Sequence, residues 1–469
     1  MNKRLMKNRY TKLKKDTFIL TLGNFSAKCL QFLMLPVYTR VLSTSDYGIA
    51  DLIITISNLL YPVFSINIAE SVLRFMLDEK EDKRKIFYCA CIYLLLCILL
   101  TLMMTIGLSH SETFGRYRFL LLLYLTSNTF YLTISAYVKG LDKTAKYAWA
   151  SVISAVTCVG LSMVLLVMLH KGIYGYMMSF IISFLLSSIY LLWICRAEIL
   201  KSISLHNILD LDLLMRMFYY ALPMIPNSIS WWISNSSDKF IIKMFYNTAA
   251  VGIYSAAYKI PAVAGVICNN FIAAWQLSSV EGFGTEQIQK FYNRIYKVFT
   301  LLIIILTGCI IEFSQLITRI FIGENYFEAW QYIPILMIGA LFCNTSAFLG
   351  SVFTAGKATK YLFFSTSLGA IVNTCLNVAL IPLIGIHGAA VATAISYMII
   401  WGYRVYKSKR IYSLNFINGS ELCCYILLIL QAYFVINEWK VILTFVPLLL
   451  IFGLVGIDVL RIKMTVKKM

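Results

Sequence analysis

Apolar runs of about 20 residues recur along the whole chain, separated by short polar breaks, and a helix needs a run of that length to cross the hydrocarbon core of a bilayer. Within lipid a backbone must satisfy its own N–H and C=O groups, so repeated runs of this kind predict helices rather than strands. Candidate spans fall at 17–39, 46–66, 86–108, 117–138, 148–169, 173–195, 219–239, 249–275, 295–313, 330–353, 360–381, 385–406, 421–437 and 440–460. The expected fold class is therefore all-α: a polytopic integral membrane protein with about 14 transmembrane helices. The run at 219–239 is the weakest, because polar residues interrupt it. Composition agrees: 60% of the chain is hydrophobic and 13% charged, against roughly 45–50% and 25% in soluble domains.

The formal net charge of +19 is distributed unevenly. If the N-terminus is cytoplasmic and the spans alternate, most of the 41 Lys and Arg residues fall on the cytoplasmic side. They precede the first span (Lys3 to Lys15) and fill the breaks around Lys80–Lys85, Lys139–Lys146, Arg196–Arg216, Lys290–Lys297 and Arg404–Arg410, then the C-terminus. That asymmetry predicts a multi-pass protein with both termini in the cytoplasm. The run at 17–39 is expected to stay in the membrane as a first span, not to be removed as a signal peptide. No basic-aromatic platform or helix-turn-helix is visible, so nucleic acid is not an expected partner. The 12 cysteines lie in apolar runs without a CxxC, the four histidines are scattered, and there is no HExxH, P-loop or GxSxG. Neither a metal, a cofactor nor a catalytic residue is expected.

The chain also repeats itself. Gly140-Leu141-Asp142-Lys143-Thr144-Ala145-Lys146-Tyr147 after the fourth span is echoed by Gly356-Lys357-Ala358-Thr359-Lys360-Tyr361 after the tenth. Gly172-Ile173-Tyr174-Gly175 opens the sixth span and Gly385-Ile386-His387-Gly388 the twelfth. Tyr47-Gly48-Ile49 and Val251-Gly252-Ile253-Tyr254 mark the second and eighth. Six spans per copy is an even number, so the copies enter from the same side as a parallel repeat. The expected organisation is an N-terminal six-helix lobe at 1–200, a C-terminal six-helix lobe at 201–410 and two additional helices at 411–469. Two such lobes facing one another suit alternating access.

Charged groups inside a membrane are costly and mark function or pairing. Thr21, Asn24, Lys28 and Gln31 share one face of the first span, and Asp51, Thr55, Asn58, Pro62 and Ser65 one face of the second. Asn227, Ser230, Ser234 and Asp238 do so in the seventh, and Ser255 and Lys259 in the eighth. The candidate anion-binding residues are Lys28, Arg40, Arg74, Lys239, Lys243 and Lys259, with Asn24 and Gln31 beside them. Fixed cations replace the water a phosphate loses on entry. Those near span ends could instead snorkel to lipid headgroups. Asp51, Asp238 and Glu70 are candidates for coupling to H+ or Na+, or partners for the cations. Asn373 and Asn377, one turn apart, read as helix–helix glue.

Gly23-Asn24, Leu35-Pro36-Val37-Tyr38-Thr39-Arg40-Val41-Leu42-Ser43 and Asp46-Tyr47-Gly48 resemble the opening of the Wzx-type polysaccharide flippases of the multidrug/oligosaccharidyl-lipid/polysaccharide exporter superfamily. Ser237-Asp238-Lys239 and Val251-Gly252-Ile253-Tyr254-Ser255-Ala256-Ala257-Tyr258-Lys259 agree with it. The resemblance implies a flippase for undecaprenyl-diphosphate-linked oligosaccharide repeat units, serving O-antigen, capsule or exopolysaccharide synthesis in a bacterial cytoplasmic membrane. It implies a lipid-linked glycan as substrate, surrounding membrane lipids, and a glycan polymerase and assembly proteins as partners. It also places Lys28 and Lys259 where the family meets the diphosphate. The alternatives are a small-molecule or drug antiporter of the same superfamily, a lipid scramblase, and a membrane enzyme. An antiporter of cations favours carboxylates over the lysines seen here, and an enzyme calls for a long extracytoplasmic loop, which the spans leave no room for.

Overall fold

The computed structural model describes residues 30, 32–78, 81–107, 109, 115–200, 210–279, 286–355, 358, 360–412 and 419–467. Among them there is no strand. In chain order the helices are α1 (Leu35–Val41), α2 (Thr44–Phe64), α3 (Ile68–Met76), α4 (Lys83–Gly107), α5 (Arg118–Gly140), α6 (Thr144–Ser162) and α7 (Gly172–Leu200). There follow α8 (Leu211–Ala221), α9 (Met224–Phe245), α10 (Thr248–Ser279), α11 (Glu286–Glu312), α12 (Ser314–Phe321), α13 (Ile333–Ala355), α14 (Lys360–Ile384), α15 (Ile386–Tyr412), α16 (Gly419–Ile436) and α17 (Val441–Lys467). A π-helical turn, Met163–Met168, extends α6, and a 3-10 segment, Glu324–Gln331, precedes α13.

Twelve helices among the described residues are long and apolar enough to cross a membrane. The protein is a multi-pass membrane protein. Of the two further spans expected from sequence, the first lies largely outside the described residues. Its described end turns at Met34, and α1 restarts with Pro36 in its first turn, where a missing N–H costs nothing. The run expected at 219–239 is not one helix. It divides at Leu222-Pro223, because proline disfavours the helical conformation of the residue before it. The part beyond, α9, is too polar to count among the twelve.

The chain forms two compact units, Met1–Trp232 and Ile233–Met469. In the first, Tyr131 stacks on Phe184 with centroids 5.5 Å apart, and an apolar core joins α3, α4, α5, α7 and α8. In the second, Trp275, Phe299 and Phe348 stack, and the Trp275 indole donates to Ser351 Oγ at 3.0 Å. The two C-terminal helices are fastened to α11 at two levels. Lys297 pairs with Asp458 of α17 at 2.9 Å. Fifteen residues on, roughly 22 Å along the helix, Glu312 accepts from Gln431 of α16 (2.9 Å) and Thr444 of α17 (2.6 Å).

Both units use the same local devices where the sequence repeats. Ser43 caps α2 by accepting from the Asp46 N–H at 3.0 Å, and Asn247 caps α10 by accepting from the Ala250 N–H at 2.9 Å. Gly172 and Gly385 both take positive φ, +54° and +69°. An L side chain is strained there, which explains a glycine at each turn.

Candidate functional site

The most developed polar cluster is in the second unit. Asp238 of α9 is 4% exposed and accepts a hydrogen bond from the Tyr254 hydroxyl of α10 and another from the Lys239 N–H at 2.9 Å. The Thr393 hydroxyl of α15 lies close to that of Tyr254. Asn373 of α14 donates to Thr393 Oγ1 at 3.4 Å, and Asn377 donates to Asn373 Oδ1 at 2.9 Å. A polar cluster thus extends from Asp238 and Tyr254 past Thr393 to Asn373 and Asn377. It ends on Asn377 Oδ1, which is buried with no hydrogen-bond partner among the described residues. Beside it, Tyr397 donates to Asn235 Oδ1 at 2.9 Å. A carboxylate taken out of water survives only where such donors replace the lost solvent.

Three predicted cations share these helices. Lys239 and Lys243 lie one turn apart on α9, and Lys259 lies on α10 one residue beyond Tyr258; all three are half-buried. The structure therefore brings Lys239, Lys243, Lys259 and Asp238 onto two consecutive helices of one unit. Asn373 and Asn377, read from sequence as glue, bond α14 to α15 through Thr393 beside the Asp238–Tyr254 pair. Tyr254, Thr393 and Tyr397 were not distinguishable from ordinary span residues by spacing. Tyr254 stood inside a repeat motif and inside a segment that carries the family resemblance, and neither assigned it a role.

In the first unit the predicted residues are more dispersed. Asp51 is buried in α2. Tyr176 meets the rings of Tyr38 and Tyr47 at 4.8 and 6.1 Å. Arg40 is exposed at the end of α1. Glu70 and Arg74 lie exposed one turn apart on α3, opposite its buried face of Ile68, Ser71, Val72 and Met76. Asn24, Lys28 and Gln31 lie outside the described residues, as do the side chains of Asn227 and Ser234.

The segment leading into α9 is held by polar bonds that the sequence did not reveal. Asp210 caps α8, accepting from the Leu213 N–H at 3.0 Å, and pairs with Lys85 of α4 at 2.9 Å. These two contacts, the backbone bond first, lower the Asp210 carboxyl below its ordinary value. Arg216 reaches Glu81, Ser71 donates to the Met217 carbonyl at 3.0 Å, and Tyr93 donates to the Leu214 carbonyl at 2.8 Å. The unit boundary falls inside α9. The Trp232 indole donates to the Thr55 carbonyl of the first unit at 2.8 Å, whereas Asn235 and Asp238 bond within the second. Among the described residues no three His, Cys, Asp or Glu side chains are grouped to hold a metal ion.

Comparison with known proteins agrees with this architecture. The chain is similar to the solved structure of the lipid II flippase MurJ in an inward closed conformation, with a TM-score of 0.69 and 16% identity over 94% of this chain and 97% of that one. It is similar to an inward-facing multidrug resistance MATE family transporter of the MOP superfamily, with a TM-score of 0.60 and 13% identity over 84% and 98% of the two chains. At these identities the likeness is one of fold. Among curated relatives, an uncharacterized membrane protein of Methanocaldococcus jannaschii is 31% identical over 32% of this chain and 30% of its own length. The probable low-salt glycan biosynthesis flippase Agl15 of Haloferax volcanii is 26% identical over 39% of each chain. The chain thus spans about a third of the length of these two relatives, while a second uncharacterized M. jannaschii membrane protein is matched at 22% identity over 98% of its length. The family profile described as polysaccharide biosynthesis protein matches residues 13–275, more than half of the chain, and the protein belongs to that family.

Proposed function

We propose that this protein is a flippase that moves undecaprenyl-diphosphate-linked oligosaccharide repeat units across a bacterial cytoplasmic membrane, with its termini in the cytoplasm, for O-antigen, capsule or exopolysaccharide synthesis. The observation that carries the reading is the set of half-buried lysines on α9 and α10, Lys239, Lys243 and Lys259, in a member of the polysaccharide biosynthesis family. Lys28, Arg40 and Arg74, with Asn24 and Gln31, supply the matching basic path from the N-terminal lobe. Half-buried ammonium groups favour an anion, and a diphosphate offers them acceptor oxygens that a neutral glycan lacks. The glycan name and fold of its relatives support the same class of cargo.

The mechanism follows from charge. The lipid diphosphate meets Lys28 and Lys259 on the cytoplasmic side, and the two lobes, 1–200 and 201–410, expose it alternately. Each charge crossing the membrane is worth about 2.3 kcal/mol per 100 mV, so an inside-negative potential favours export of the anion. A coupling ion, H+ or Na+, then serves to reset the carrier, with Asp238 as its site and Asp51 and Glu70 as further candidates. Asp238 is the best placed of the three, because it is buried and its carboxylate accepts the Tyr254 hydroxyl, a charge-assisted bond that neutralisation weakens. Glycan polymerase and assembly proteins are its expected partners. The buried Asp238 carboxylate and the MATE-like fold also suit a drug/cation antiporter, which is the second reading.

The test is surface glycan in cells lacking their own flippase, at matched membrane expression. Restoration by wild type and loss in Lys259→Ala and Lys28→Ala supports the reading. Failure of wild type across several donor glycans, with efflux of organic cations gained, overturns it in favour of the antiporter.

A further inference from the structure

At one end of the first unit, an open cleft of ≈ 540 Å³ is lined by Asp142, Lys143, Lys146, Trp193 and Arg196 among others. That volume is in the range of small-ligand sites, roughly 300–1,000 Å³. The cleft lies where the antiparallel hairpin of α6 and α7 ends. Two bonds define the hairpin's register. Ser162 Oγ donates to Ser179 Oγ at 2.8 Å near the turn, and Lys143 pairs with Glu198 at the open end. The two bonded pairs are separated by the same number of residues on each helix. In that register Lys146 and Arg196 are within one residue of level, about 1.5 Å along the axis, and so are Trp149 and Trp193.

The same order of side chains therefore appears on both helices. A cation stands at the end, a tryptophan one turn inward, and apolar residues continue beyond. Trp149 and Trp193 are 62% and 59% exposed, and the Arg196 guanidinium lies 4.9 Å from the Trp193 ring centre. Farther inward, Val156 on α6 and Ile189, Leu186 and Leu185 on α7 are exposed too. Arg196 and Leu185 are 11 residues apart, close to three whole turns, so they share one side of α7 about 16 Å from each other. Leu185 helps line an apolar recess of ≈ 180 Å³ with Leu94, Ile98 and Leu123. Exposed tryptophans mark the headgroup level of a bilayer, and this end carries the lysine-rich loops assigned to the cytoplasmic leaflet.

The charges divide into those already matched and those available. Lys143 is matched by Glu198 and also donates to the Ile194 carbonyl at 3.3 Å. Lys146 and Arg196 are exposed, and neither meets a carboxylate within 4.0 Å among the described residues. Asp142 is the one acid in the cleft lining, and Lys139, over the Tyr147 ring at 4.0 Å, adds a cation beside it. The balance is positive.

We propose that the α6–α7 hairpin carries a binding site for an anionic glycerophospholipid. Lys146 and Arg196 hold its headgroup phosphate, Trp149 and Trp193 flank the glycerol level, and an acyl chain runs along Ile189 toward the Leu185 recess. The proposal does not depend on the cargo the protein moves. The test is native mass spectrometry of the delipidated full-length protein with phosphatidylglycerol, phosphatidylcholine or inorganic phosphate added. Wild type is expected to retain phosphatidylglycerol and not phosphatidylcholine. The Lys146→Gln/Arg196→Gln double variant is expected to bind it about 25-fold more weakly, two cations at about five-fold each beside an anionic surface. Lys146→Arg/Arg196→Lys, which keeps the charges, is expected to restore retention and shows that loss is not misfolding. Equal retention of both lipids, or no change in the Gln variant, overturns the proposal. Displacement of phosphatidylglycerol by millimolar inorganic phosphate overturns the lipid assignment, since it makes the cleft a soluble-anion site.

Discussion

Tyr254 donates its phenolic hydrogen to the carboxylate of Asp238, and the two side chains, on neighbouring helices of the second unit, are 0% and 4% exposed. Removing the donor leaves a buried carboxylate short of one bond, whereas removing the charge as well relieves it. Tyr254→Phe is therefore expected to destabilise the protein by about 1–3 kcal/mol. Tyr254→Phe combined with Asp238→Asn should cost less than the sum of the single changes. Thermal unfolding of all four proteins in one detergent measures this coupling. Additive single effects would show that the bond does not join the two residues energetically. Asp238→Asn alone is expected to stop glycan export at normal expression if the carboxylate takes part in coupling.

Glu312 holds both C-terminal helices to α11 through Gln431 and Thr444. Hydrogen bonds to a charged group are worth roughly 1.5–3 kcal/mol each. Glu312→Leu is expected to raise hydrogen exchange across Gly419–Ile436 and Val441–Lys467 while leaving α13 and α14 protected. Unchanged exchange in α16 and α17 would place their attachment in apolar packing and the Lys297–Asp458 pair.

Asp210 gives a pH dependence whose sign is determined by its contacts. Its folded pKa is lowered, by the Leu213 N–H and then by Lys85. The stabilisation it contributes is complete above the ordinary carboxylate pKa of about 3.9 and is lost as pH falls through the folded value. Exchange protection of Leu211–Ala221 should therefore weaken below about pH 4. In Asp210→Asn, which can still cap the helix, that acid-dependent step should disappear. A step of equal size in the variant would assign it to another carboxylate.

Gly388 and Gly453 are opposite cases. A Cβ at Gly388 would come within 2.5 Å of the Leu380 carbonyl carbon and 2.6 Å of its oxygen, and backbone cannot yield as a side chain tip does. Gly388→Ala is expected to exceed the about 1–3 kcal/mol of ordinary overpacking and to abolish folded protein in membranes. Gly453 has nothing within 4 Å, so Gly453→Ala should be neutral or stabilising by up to about 1 kcal/mol. Detergent-stable yield by size-exclusion chromatography separates the two.

The fold class was legible because the bilayer imposes it: length and apolarity alone identify Lys83–Gly107 or Val441–Arg461 as spans. The glycine pairs at Gly172 and Gly385 were legible as a repeat, and their shared positive φ gives the reason the letters recur. The division at Leu222-Pro223 was signalled by the proline but concealed by the apolar residues around it. The candidate site was legible only in its charged members. An isolated lysine or aspartate in a span stands out, as Asp238 and Lys259 do, because its cost demands a reason.

The neutral members were not legible, since a tyrosine, threonine or asparagine in a membrane helix costs little and serves as glue as often as function. The sequence by itself determined that this chain crosses the membrane many times, since that follows from transfer free energy read one residue at a time. Only the tertiary structure decided that Asp238 is bonded to Tyr254 beside the Thr393–Asn373–Asn377 cluster, and that Lys146 stands within one residue of level with Arg196. Both depend on which helix faces which and in what register, a property of packing between segments far apart in the chain.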